Sequence, residues 1–225
     1  MGIGGRKVDM DKTEKKNAIA EVAFELFLSN GYSTTKIIDI AKAAGIGKGT
    51  VYEYFESKEN LLLYLIENRV GPEYRALMDR VASEEGGAEA KLRKYLQVEF
   101  EFVGKYGKYI GDMHRQFVEA GTEDAEKIGK AVFEIVQMQF GVVFDIVQMG
   151  IKEGFFRNTS PKFTATCITS YVSAYLTATF DKKGMQRLGE KTEKFGTDIA
   201  DSPVAGFERS SAEELLDIIL HGIGA

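Results

Sequence analysis

The sequence predicts an all-α protein in two parts. Apolar residues recur at three- and four-residue intervals through most of the chain. No segment keeps the two-residue alternation of a strand for long. At 225 residues, 44% of them hydrophobic, there is material for a sizeable core, and three prolines with no long polar tract argue against disorder. The boundary is expected near residue 60, giving a small domain over 1–60 and a larger one over 61–225.

After a Gly-rich, charged start, the spacing predicts a helix from Lys12 to Ser29 with an apolar stripe of Ile19, Val22, Ala23, Leu26 and Phe27. Asn30-Gly31 stops it. Next come two short helices joined by a tight turn. Thr35 is the expected N-cap, Ile37, Ile40, Ala41 and Ala44 share one face, and Gly45 ends the first helix where positive φ is needed. Ile46 plugs the turn, and the second helix starts at Gly47 or Lys48 with Val51 and Tyr54 or Phe55 inward. A small residue at 41, glycine four further on and a buried β-branched residue six beyond that is the helix-turn-helix arrangement. Ser57 caps the next helix, which buries Leu61, Leu62, Leu65 and Ile66 and runs past Gly71-Pro72 toward Val81. Further helices are expected from Ala88 to about Lys105, Tyr109 to Glu119, Asp124 to Glu153 and Pro161 to about Phe180. A long loop over 181–209 precedes a last helix capped by Ser211.

Several function classes fall away. Gly45-Ile46-Gly47-Lys48-Gly49-Thr50 lacks the P-loop pattern, because Lys48 is followed by Gly49 and a helix precedes it; it also misses GxGxxG. Two histidines and one cysteine spell out no metal cluster or Cys–His pair, so no catalytic residue, metal or cofactor is expected. Cys167 reads as a small buried apolar residue. No signal peptide and no uncharged 18-residue run is present, so the expected compartment is the cytoplasm. Residues 1–60 carry nine basic and nine acidic groups, and the net charge of −5 lies wholly beyond them. The basic residues among the first sixteen are compatible with phosphate contact and equally with a solvated tail.

The stretch IAEVAFELFLSNGYSTTKIIDIAKAAGIGKGTVYEYFESKENLL resembles the N-terminal domain of TetR-family transcriptional repressors. The Asp-Ile-Ala of the second helix, the Lys-Gly-Thr-Val-Tyr-x-Tyr-Phe of the third and the Ser-Lys-Glu opening the fourth carry the likeness. The resemblance implies an N-terminal three-helix helix-turn-helix DNA-binding domain and a larger C-terminal helical ligand-binding and dimerisation domain. Carried over by position, Thr35 and Lys36 hold one phosphate run, Lys48, Gly49 and Thr50 face the groove, Tyr52 and Tyr54 reach phosphates or a thymine methyl, and Lys58 binds a further phosphate. Tyr54 reads equally as core, and Thr35 caps its helix with or without DNA. Three positions depart from the family pattern: Gly47 replaces a common serine, Ile38 a frequent arginine, and Glu53 puts a carboxylate near the groove. Glu53 could accept from a cytosine amino group or repel phosphate.

The second domain would then carry the signal. Candidate effector contacts are Phe100, Met113, His114, Phe117, Phe133, Gln137, Phe140, Phe144, Tyr171 and Tyr175, although aromatics at helical spacing more often form core. The implied partners are a double-stranded DNA operator, a small apolar or aromatic effector, and a second copy paired through helices near 161–180 and 211–223. The competing reading is a helical small-molecule or partner-binding protein whose DNA binding has degenerated.

Overall fold

The structure, a computed structural model, describes residues 11–117, 123–180 and Ile219; within these, the side chains of 107–117 and 175–180 are not described. The expected loop over 181–209 and, apart from Ile219, the expected last helix lie outside the described residues. All the described elements are helical.

Helix α1 (Lys12–Asn30) opens on a reciprocal cap. The Asp11 carboxylate accepts the Thr13 N–H, and the Glu14 carboxylate accepts the Asp11 N–H at 3.1 Å. It buries Ile19, Ala20, Ala23, Phe24 and Phe27. The expected stripe therefore turns by part of a residue: Val22 and Leu26 are half-buried, and Phe24 takes the inward place. The cause is tertiary, since the Tyr106 ring from a distant helix packs on Phe24 with centroids 5.8 Å apart.

Helices α2 (Ile37–Ala43) and α3 (Lys48–Tyr54) form the predicted pair. Gly45 takes φ +66°, and Ile40, Ala41, Val51 and Phe55 are fully buried. The cap of α2 corrects the sequence reading: Lys36, not Thr35, holds the N-cap position. The Asp39 carboxylate accepts the Lys36 N–H at 3.0 Å, while the Thr35 hydroxyl turns inward and donates to the carbonyls of Gly31 (2.8 Å) and Leu26 (3.3 Å).

A long rod follows. Helix α4 (Lys58–Leu65) passes through a π-helical turn (Ile66–Val70) into α5 (Gly71–Ala82). Ser57 caps it, accepting the Asn60 N–H at 2.8 Å. In the turn the Gly71 N–H reaches back to the Ile66 carbonyl. The bonding slips by one residue just before Pro72, which has no N–H to give, so the rod bends its register without breaking.

Helix α6 (Ala88–Phe117) is one helix where the sequence suggested two. Gly104, Gly107 and Gly111 stay helical because the apolar stripe of Leu92, Tyr95, Leu96, Phe102 and Tyr106 packs on the rod and on later helices, which outweighs about 1 kcal/mol of helix propensity per glycine. Helix α7 (Glu123–Lys152) is long and apolar enough to cross a bilayer by length and composition, but it packs against α4, α5, α6 and α8. Helix α8 (Pro161–Phe180) lies along α7. One buried cluster runs from Ile19 through the rod to Val172 and Ile219, so head and bundle share a continuous core. Cys167, expected to be buried, is only half-buried.

Candidate nucleic-acid interface

The head offers one outward face of the recognition-type helix. Lys48, Gly49, Tyr52 and Glu53 of α3 are exposed, with Thr50 half-buried beside them. Val51 and Phe55 point into the core, which forces residues 48, 49, 52 and 53 outward by helical spacing. Tyr52 is 46% exposed although it is a large aromatic, and the Lys48 ammonium lies 5.6 Å from its ring centroid. Lys36 is also exposed at the start of α2. A flat ring flanked by a cation can contact phosphate, sugar and base edges together.

Three expected contacts have a different place. Thr35 is 2% exposed, and both its hydroxyl bonds are internal. Tyr54 is half-buried against the core. Lys58 turns inward: its ammonium donates to the carbonyls of Tyr32 (2.7 Å) and Thr35 (2.9 Å) and stands 4.1 Å over the Tyr32 ring. Burial pulls its pKa below the ordinary lysine value, against the nearby Glu59 charge. These side chains fasten the α1–α2 connection to α4 and so fix the pose of α3. Of the departures from the family pattern, Ile38 is exposed on α2, and Gly47 caps α3 without a side-chain bond.

The head is strapped to the bundle at three points. The Ser57 hydroxyl donates to the Asp124 carboxylate at 3.0 Å, tying the start of α4 to the first turn of α7. Arg69 in the π-helical turn pairs with Glu21 of α1 at 3.2 Å and lies 4.5 Å over the Phe24 ring. Tyr106 of α6 contacts that same ring and donates to the Glu73 carboxylate, which also takes Lys105 at 2.7 Å. Despite the cost of its partial burial, the Glu73 carboxyl is held below its ordinary value by Lys105 and Tyr106.

The effector candidates whose side chains are described lie on three helices, α6, α7 and α8. Phe133, Gln137, Phe140 and Phe144 follow one stripe of α7, with the Phe140 and Phe144 rings stacked at 6.1 Å. Phe133 and Gln137 face solvent, as do Val132 and Val136, because the partners of mid-α7 among the described residues lie on its other side. Phe100 of α6 is half-buried, and Tyr171 of α8 is exposed. The side chains of Met113, His114, Phe117 and Tyr175 lie outside the described residues. A shallow groove of about 580 Å³ between Gly87, Arg93, Glu153 and Phe155 includes none of the ten.

What the sequence reading missed is a buried polar group inside the bundle. Glu99 of α6 is 4% exposed and accepts the Tyr74 hydroxyl of α5. The Gln139 amide of α7 donates to the Tyr95 hydroxyl at 3.0 Å and also reaches Glu99. Burial pushes the Glu99 carboxyl up to about 7. The signal was available: position 99 continues the inward stripe of 92, 95, 96, 102 and 106, so a charged residue there falls inside.

These features define a class: a helix-turn-helix module mounted on a larger helical bundle. Residues 19–65 match the family described as bacterial regulatory proteins, tetR family. The fatty acid metabolism regulator protein of Bacillus subtilis (strain 168) is 27% identical over 144 residues, 64% of this chain and 74% of that one. Among solved structures, the FadR regulator from Bacillus subtilis in complex with stearoyl-CoA aligns with TM-score 0.60 at 19% identity, over 92% of this chain and 98% of that one. A putative transcriptional regulator from Saccharomonospora viridis in complex with choline aligns with TM-score 0.69 at 18% identity, over 95% and 100%. Over residues 19–65 the chain carries the helix-turn-helix module of the tetR family of bacterial regulatory proteins, and the relatives it matches beyond that stretch are regulators.

Proposed function

We propose that the protein is a cytoplasmic, effector-responsive repressor. It binds a palindromic operator as a dimer and is released by a small apolar or aromatic molecule. The observation that carries this reading is the exposed Lys48–Tyr52 face of α3 on a head strapped to the bundle at Ser57, Arg69 and Tyr106. Lys36, Lys48, Gly49, Thr50, Tyr52 and Glu53 are the contacts we assign to DNA. Thr35, Tyr54 and Lys58 hold them in place. Residues 1–60 form the reading unit and 61–225 the sensing and pairing unit. The exposed Phe163 and Tyr171 of α8 support pairing through 161–180, with 211–223 as its companion.

In a dimer the two α3 helices enter successive major grooves about 34–36 Å apart. An effector that parts α6 from α7 pulls on Asp124 and Tyr106, and both grip the head. The half-site spacing then fails, and affinity falls by a coupling energy of roughly 1–3 kcal/mol. The structural neighbours hold chemically unlike ligands, an acyl-CoA and choline, so neither ligand is carried over. Footprinting on DNA from the upstream region of its own gene tests the proposal. Two protected half-sites one helical turn apart support it. Absence of selective protection at low salt supports instead a binding protein with a degenerate head.

A further inference from the structure

The sensing unit proposed above contains a buried carboxyl with no cationic partner among the described residues. Glu99 is buried between α5, α6 and α7, and its bonds come from the Tyr74 hydroxyl and the Gln139 amide. No lysine, arginine or histidine among the described residues bonds it. A carboxylate offers about four acceptor sites, so two donors leave capacity unused. Burying such a group without a cation is costly, and an apolar residue of similar size would pack there at less cost. Gln139 is the one member of the Tyr74–Tyr95–Glu99–Gln139 group that is not buried. It therefore marks the side from which the group can be reached. Beside it on α7, Val136 is exposed and Phe140 half-buried, an apolar surface one turn long next to a buried acceptor.

We infer that this group is the polar end of the effector site and that the effector is an amphiphilic organic cation, with its ammonium on Glu99 and its apolar part along Val136 and Phe140. The inference rests on the reading of the bundle as a sensing unit and adds the charge of what it senses. An entering ammonium supplies a counter-charge that no described residue provides. Binding is then linked to protons. The titratable neighbours are the phenols of Tyr74 from α5 and Tyr95 from α6, both held above their ordinary range by burial, and α7 contributes only an amide. Glu99 is thus the member that changes charge near neutrality. A cation requires it ionised, and the ionised share rises about tenfold between pH 6 and pH 8 for a group at about 7.

The experiment is calorimetric titration of the full-length protein with decyltrimethylammonium below its micelle concentration, decanol and decanoate, at pH 6 and pH 8. The expected result is that the cation binds at least tenfold tighter than either analogue at pH 8 and gains about tenfold from pH 6 to 8. Glu99→Gln, close in shape, should remove both effects while keeping the helical circular-dichroism spectrum. A purely structural Glu99 would alter stability and leave charge preference and pH slope untouched in that variant, which would overturn the inference. Decanol or decanoate binding as tightly as the cation overturns it too, and so does failure of all three to bind. If decanol or decanoate but not the cation releases DNA, the sensing reading stands and the cation assignment falls. Cation binding without any operator binding has the reverse meaning.

Discussion

Head and bundle are built to opposite rules. In the head, most inward positions are small or apolar, and several polar groups serve a local cap or strap: Asp11 and Glu14 on α1, Asp39 on α2, and Lys58 on the carbonyls of Tyr32 and Thr35. The bundle leaves ends untied. It buries Glu99 without a cation among the described residues and turns Phe133 and Val136 toward water. A surface that must meet DNA in one pose needs a rigid mount. On the proposed function, a unit that shifts on ligand binding is better left with polar groups and apolar faces that a ligand can complete.

The largest expected effect tests the rigidity of the head. Phe27 is fully buried and packs edge-on against Tyr32 with centroids 5.1 Å apart. Phe27→Ala should cost about 3–5 kcal/mol in urea unfolding. A loss below about 1 kcal/mol would mean the head core is looser than its packing.

The next effect concerns the bundle and has a sign that pH reveals. The folded pKa of Glu99 lies above its ordinary 4.5, so between 4.5 and about 7 the folded state holds more protons than the unfolded one. Stability therefore falls as pH rises through that window. Glu99→Gln should lack this slope and gain roughly 2–3 kcal/mol relative to wild type at pH 8, with little change near pH 4. Parallel stability curves for the two proteins from pH 4 to 8 would remove the contrast between the units.

Lys58→Met removes two charge-assisted bonds from the strap between α1, α2 and α4, with an expected loss of about 2 kcal/mol. Its operator affinity should fall although the side chain faces away from DNA. A variant that keeps full stability but loses the salt sensitivity of DNA binding would return Lys58 to the role of a phosphate contact. The smallest effect is the most telling of the set. A Cβ at Gly49 would meet nothing within 4 Å in the protein. Gly49→Ala should therefore stabilise α3 by about 0.5–1 kcal/mol while weakening operator binding, since the proposed docking brings the bare backbone there close to the groove. Equal signs for the two effects would argue against that approach.

The same contrast explains what could be read from the residues. The head was legible almost throughout, since Gly45, Ala41, Val51 and Ser57 each answer a local demand for a left-handed turn, a close crossing, a buried branched side chain or a cap. Two details failed there for tertiary reasons. Phe24 faces inward because α6 supplies Tyr106, and Lys36 takes the cap because Thr35 finds carbonyls behind it. In the bundle, the glycines at 107 and 111 suggested a break that packing overrides, and the aromatics of α7 did not reveal which were covered. Coverage depends on neighbours far along the chain. Only Glu99 stood at a position that should have drawn notice.

On the proposed function, the Lys48–Tyr52 face of α3 contacts DNA. The most direct measurement is the salt dependence of operator affinity for wild type, Lys48→Ala and Tyr52→Ala, because each phosphate contact releases counterions. The account predicts selective binding that weakens steeply with salt, a slope reduced by about one in Lys48→Ala, and a loss of roughly 1–3 kcal/mol in Tyr52→Ala with the fold intact. Unchanged affinity and slope in both variants would contradict it.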